Sequence, residues 1–135
     1  RVPCAARPIA VRPRVDAFRR RVVGRIVAAV ERLGKRVVLR LDNADAIVVE
    51  PRMTGLVLLA DPPDREHLRF RLRLRGVRQR ELLYWDQRGL GSVRLYRPAE
   101  LDAALEAGTL GPDALNVTAA QLRERLRAVR PCSLG

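Results

Sequence analysis

The chain has 135 residues, 47% of them hydrophobic, which is enough to bury one core but hardly two. Its 27 Lys and Arg against 15 Asp and Glu give a formal net charge of +12, a balance that favours a polyanionic partner. No apolar run approaches the ~20 residues that a membrane-spanning helix needs, and the first ten residues lack a secretory signal's apolar stretch. A soluble, intracellular protein with no membrane partner is expected. The cysteines, Cys4 and Cys132, sit near opposite ends without C-x-x-C spacing, so neither a zinc site nor a disulfide framework can be argued from them. Lys35 is the only lysine, and an arginine- and alanine-heavy composition can also reflect genomic base bias. Charge alone therefore leaves nucleic-acid binding and a plain basic protein both open.

In chain order, Pro3, Pro8 and Pro13 mark an extended start, in which Pro8-Ile9-Ala10-Val11 reads as a short edge strand. Asp16 is placed to cap a short helix with Phe18 and Val22 on one face and Gly24 as its stop. From Arg25 to Tyr96 the reading is strand after strand, separated by Gly, Pro, Asn and Asp, the pattern of an all-β sandwich or barrel. The expected strands are Arg25 to Arg32, Arg36 to Leu41, Ala46 to Glu50, Leu56 to Ala60, His67 to Arg75, Arg80 to Trp85 and Ser92 to Tyr96. In the fifth, Leu68, Phe70, Leu72 and Leu74 alternate with Arg69, Arg71, Arg73 and Arg75, so one face is core and the other cationic.

A helix is expected from Pro98 to Ala107, with Gly108 ending it, followed by a turn-rich linker over Leu110 to Leu115. Thr118 and Gln121 form a capping box for a last helix, with Leu122, Leu126 and Val129 at helical spacing before Pro131. A lone amphipathic helix after a complete sheet domain has nothing obvious to pack against. A second, helical domain is expected to have been cut away.

Three loop segments carry the candidate chemistry. The first is Val30-Glu31-Arg32-Leu33-Gly34-Lys35-Arg36-Val37-Val38-Leu39, where Lys35 breaks an otherwise all-arginine usage. A site that needs a compact ammonium, or a group able to exchange a proton, cannot accept a guanidinium that stays charged. The second is Glu50-Pro51-Arg52-Met53-Thr54-Gly55, and the third Tyr84-Trp85-Asp86-Gln87-Arg88-Gly89-Leu90-Gly91. Taken singly, each also reads plainly: a surface lysine in a turn, a core methionine at a strand end, a glycine-rich hairpin.

Together and in this order they resemble the formamidopyrimidine-DNA glycosylase and endonuclease VIII-like family, from about Asp16 to Pro131. Such enzymes excise oxidised bases and nick the strand. The resemblance assigns Lys35 a phosphate contact at the lesion and a catalytic part in β-elimination. The second segment is similar to the family's "leucine, glycine, methionine, serine or threonine, glycine" loop, and Met53 matches the methionine that fills the gap left by an extruded nucleotide, a task suited to a flexible apolar side chain. Arg88 matches the arginine that enters the gap and meets the orphaned base with a planar fork of donors. Leu90 stands where the family has a phenylalanine wedge, and Gly89 replaces a second arginine. In Pro62-Pro63-Asp64-Arg65-Glu66-His67-Leu68, His67 matches the second of two histidines, while Arg65 replaces the first, a DNA contact. Glu50 takes the place of a phosphate-contacting histidine.

The family's nucleophile, an amino-terminal proline followed by a catalytic glutamate, is not matched by Arg1-Val2-Pro3-Cys4. The zinc finger and most of the helical domain have no counterpart either, so no cofactor is expected in this chain and its covalent chemistry is expected to be incomplete.

The resemblance thus implies a mainly β, α+β fold: a two-sheet β-sandwich over residues 1–111, then a linker and the start of a helix–two-turn–helix domain over 112–135. It implies the DNA-binding part of a base-excision glycosylase and abasic-site lyase, acting as a monomer on double-stranded DNA with oxidised bases or abasic sites, in the bacterial cytoplasm. Two other readings stand beside it. One is a non-catalytic basic nucleic-acid-binding module; the other is a basic structural β protein.

Overall fold

The computed structural model describes residues 8–106 and 117–128. Its elements run β1 (Ala10–Arg12), α1 (Val15–Val22), β2 (Val27–Leu33), β3 (Arg36–Leu41), β4 (Ala46–Glu50), β5 (Gly55–Leu58), β6 (Leu68–Arg73), β7 (Glu81–Asp86), β8 (Ser92–Tyr96), α2 (Pro98–Glu106) and α3 (Ala119–Ala128). Five strands form one sheet in the order β1-β8-β4-β3-β2, and three form another in the order β5-β7-β6. β1 runs parallel to β8, and every other pair is antiparallel.

The inner faces of the two sheets make the core. Leu39, Leu41, Ile47, Val49, Val93 and Leu95 come from the larger sheet; Leu82 and Tyr84 come from the smaller one, with Val57, Phe70 and Leu72 packed against them. The expected sandwich is what forms. β4 is buried along Ala46 to Val49 without alternation, because both of its faces are covered. Ile47 and Val49 point between the sheets, whereas Ala46 and Val48 join Val38 in a second cluster capped by Leu101 of α2.

α1 closes one side of the sandwich. Phe18 is 3% exposed and meets Phe70 edge-on at 5.6 Å between ring centroids. Burying that ring contributes on the order of 2 kcal/mol. The helix is also tied to the β3–β4 turn, where Arg21 donates to Asp45 Oδ2 from Nε at 3.2 Å and Nη2 at 2.9 Å. Asn43 completes the turn by donating to the same carboxylate and accepting from the Asp45 amide.

Three expectations are corrected here. Asp16 lies in the first turn of α1 instead of capping it; Arg14 occupies the cap position without a side-chain bond. Asp16 still favours the helix by placing negative charge near its N-terminus. The clean alternation of β6 fails at its start, where the register shifts between Leu68 and Phe70. That bulge sets Leu68 opposite Trp85, while Phe70, opposite Tyr84, is the first β6 side chain in the core. The cationic face is correspondingly not all free, because Arg69 Nε donates to the Asp86 carbonyl at 2.8 Å.

The capping box forms: the Thr118 amide donates to Gln121 Oε1 at 3.0 Å, and the Gln121 amide to Thr118 Oγ1 at 3.3 Å. Leu122 on this helix is 49% exposed. Cys4, the Leu110 to Leu115 linker, Gly108, Val129, Pro131 and Cys132 lie outside the described residues. Among the described residues no helix is long and apolar enough to cross a membrane.

Candidate nucleic-acid interface

Strand register brings the candidate loops to one end of the sandwich. Glu50, at the end of β4, lies opposite Ser92 at the start of β8. In the other sheet Gly55 lies opposite Asp86, and Leu68 opposite Trp85. The β2–β3 turn, the β4–β5 loop, the end of the β5–β6 loop and the β7–β8 loop therefore share this end. They carry Lys35, Met53, Arg65, and Arg88 with Leu90.

Lys35 sits in a two-residue turn between the paired Leu33 and Arg36. Gly34 has φ +61°, the positive-φ first residue that such a hairpin requires. The lysine is exposed and has no ion pair or hydrogen bond among the described residues. Beside it, Glu50 Oε1 lies 3.4 Å from Arg36 Nη2 and 3.2 Å from Arg52 Nε. Glu50 thus ties the strand next to Lys35 to the loop that bears Met53.

That loop is tightly turned. Arg52 has φ +55°, an uncommon conformation for a residue with a Cβ, and it falls where the resembled loop has glycine. Met53 is 82% exposed, far from a core methionine. Arg88 Nη1 reaches Met53 Sδ at 3.9 Å, so the two side chains stand together on the surface, with Leu90 40% exposed in the same loop as Arg88.

Underneath lies Asp86, whose exposure is 0%. Its Oδ1 accepts from the Thr54 hydroxyl at 2.7 Å and the Arg88 amide at 3.2 Å; its Oδ2 accepts from the Gly91 amide at 2.8 Å and the Tyr84 hydroxyl at 3.0 Å. Burial by itself pushes this carboxyl up, but the bonds from Thr54, Gly91, Tyr84 and Arg88 outweigh it and hold the group below the usual carboxylate range. Burial, and then the charge of Asp86, push the Tyr84 phenol far up, so Tyr84 stays a donor. Glycine is required at two neighbours: a Cβ on Gly91 would overlap the Tyr84 hydroxyl and press on the Glu50 carbonyl, and one on Gly55 would meet Pro51 and the same hydroxyl. Arg69 adds a backbone clamp on the carbonyls of Asp86, at 2.8 Å, and Gln87, at 3.3 Å.

Asp64 accepts from both the amide and Nδ1 of His67, at 2.8 and 2.9 Å, and those contacts, the amide first, hold its carboxyl below the usual range. His67 also packs edge-on against Trp85, with centroids 5.7 Å apart. It is a loop brace. Arg65, two residues earlier, is exposed and unpaired among the described residues.

Of the sequence-derived candidates, a direct contact joins Met53 and Arg88; Lys35, Arg65 and Leu90 share their end of the fold. Sequence reasoning passed over the Asp86 hub and the Arg69 clamp. The available signal was an aspartate enclosed by two aromatics and two glycines, in the segment that also carries Arg88 and Leu90.

The formamidopyrimidine-DNA glycosylase N-terminal domain profile matches residues 1–93. The chain belongs to that family. It is similar to the formamidopyrimidine-DNA glycosylase of Chloroflexus aurantiacus, 36% identical over 89% of this chain and 43% of the relative. The Nocardioides enzyme of that name is 42% identical over 56% of this chain and 27% of the relative. The chain thus spans less than half the length of these relatives. Among solved structures, the Lactococcus lactis enzyme bound to DNA containing an abasic site superposes with a TM-score of 0.66 at 19% identity, covering 84% of this chain and 44% of that one. At that identity the match shows the fold alone.

Proposed function

We propose that this end of the sandwich is the lesion-probing DNA surface of a base-excision glycosylase. One observation carries it: Met53 and Arg88, far apart in sequence, stand side by side and exposed on a buried carboxylate hub. Exposing a methionine has a hydrophobic cost that a folding role does not explain, whereas a gap in a base stack, lined by aromatic faces, recovers it. Arg88 supplies donors to the base left without a partner, and Leu90 wedges beside it. Lys35 and Arg65 grip phosphates, and Lys35 takes part in the β-elimination step; its exposure supports that reading. The solved Lactococcus lactis relatives hold DNA with an abasic site or with FAPY-dG, which supports DNA bearing such lesions as the partner.

In the intact enzyme the reaction would be release of an oxidised base and cleavage of the abasic strand. The binding unit is a monomer in the cytoplasm, and this part of the enzyme works without a cofactor. The test is equilibrium binding to matched duplexes with and without a reduced abasic site, across a salt series. Preference for the abasic duplex, with Lys35→Ala lowering the salt slope by about one, is the expected result. Equal binding to both duplexes would leave only a cationic DNA binder.

A further inference from the structure

Resting on that reading, we propose that Asp86 is a positioning residue that makes the Met53 and Arg88 loops act as one unit, with the Thr54 hydroxyl as the joint. Its four donors come from three places: the β4–β5 loop, strand β7, and the β7–β8 loop through to Gly91. The division between the two carboxylate oxygens is informative. Oδ2, bound by Tyr84 and Gly91, fixes the hub to its own sheet and to the approach to β8. Oδ1 alone joins the two probing loops, because it accepts at once from Thr54, the neighbour of Met53, and from the amide of Arg88 itself. The Arg88 amide also lies 3.4 Å from Thr54 Oγ1, closing a three-membered network.

The Thr54 bond, at 2.7 Å, is of the short, charge-assisted kind. A buried carboxylate is expensive unless every lone pair is used, and here both oxygens are doubly bonded by donors. Loops anchored separately would offer Met53 and Arg88 to DNA independently. Joined through one oxygen, they hold a fixed relative placement, which a gap one nucleotide wide demands. Cutting the joint leaves Met53, Arg88 and every surface cation in the chain.

The test is a double-mutant cycle on the preference ratio, abasic over intact duplex, for Met53→Ala and Arg88→Ala, run with Thr54 and again with Thr54→Val or Thr54→Ala. With Thr54, the double variant should depart from the product of the single effects by about tenfold, a coupling usual for contacting side chains. Without the hydroxyl the departure should shrink to less than about twofold, and Thr54→Ser should restore it. Tyr84→Phe, which cuts a bond on the other oxygen, should lower the melting temperature and keep the coupling. Undiminished coupling in a folded Thr54 variant, or equal loss in Tyr84→Phe, overturns the positioning role and leaves the lesion-probing reading standing. Absence of any abasic preference in the unsubstituted chain overturns both.

Discussion

Single residues at the hub have sharp consequences. Asp86 has four donors, and Asn in its place would turn an NH2 group toward some of them. Asp86→Asn should therefore cost on the order of 3 kcal/mol at neutral pH, measured by denaturant unfolding. The carboxyl titrates below its usual range in the folded chain, so its stabilisation is fully present above the unfolded-state value of about 3.9 and is lost as pH falls through the folded value. Unfolding free energy of the wild type should fall steeply below about pH 4, and Asp86→Asn should flatten that fall. Gly91→Ala tests the close approach: with the Tyr84 hydroxyl and the Glu50 carbonyl in the way, loss should exceed about 3 kcal/mol. These residues were poorly legible in sequence, because a hydrogen-bond hub has no periodicity. Its members lie up to 37 positions apart, from Thr54 to Gly91, and converge only once β5 and β8 are in register with β7 and β4.

Elements were read better, for a physical reason. Strands with one covered face alternate, and those covered on both faces run continuously apolar, so Arg36–Leu41, Ala46–Glu50 and Ser92–Tyr96 were delimited in the sequence as they stand in the fold. The ends of β2, β5, β6 and β7 stand one or two residues from their expected places, and the larger errors fell where local chemistry overrides period: the bulge that takes Leu68 out of step, and the α1 start, where Arg14 precedes the helix. The β4–β5 loop shows the same override in its backbone. Arg52 holds φ +55° at the position of a family glycine, with its Nε near Glu50 at a surface where ion pairs contribute little. Arg52→Gly should thus relieve strain that exceeds the added entropy of the unfolded chain, leaving stability unchanged or raised by up to about 1 kcal/mol, read as a melting shift of a few degrees. A clear loss would show that the Arg52–Glu50 contact outweighs the strain.

For the molecule as a whole, sandwich topology and family were legible because the ordered loop motifs constrain each other, and each sits between strands whose register brings the loops to one end. The resemblance sends Met53 and Arg88 to one gap; their direct contact, across two loops that each cross from one sheet to the other, is legible only in the fold. The +12 charge acts at this scale as well, drawing any polyanion to the surface, so affinity alone says little about function. On the proposed reading, discrimination comes from side chains that enter the duplex. The most direct measurement places the fluorescent base 2-aminopurine opposite a reduced abasic site and follows its emission as the chain is added. Entry of Met53 and Arg88 into the gap should change the emission in the wild type, while the double variant Met53→Ala/Arg88→Ala, bound to the same extent, should bring it back toward that of free DNA. An unchanged signal with the wild type at saturation would contradict insertion, and with it the central claim that this end of the sandwich reads damaged DNA.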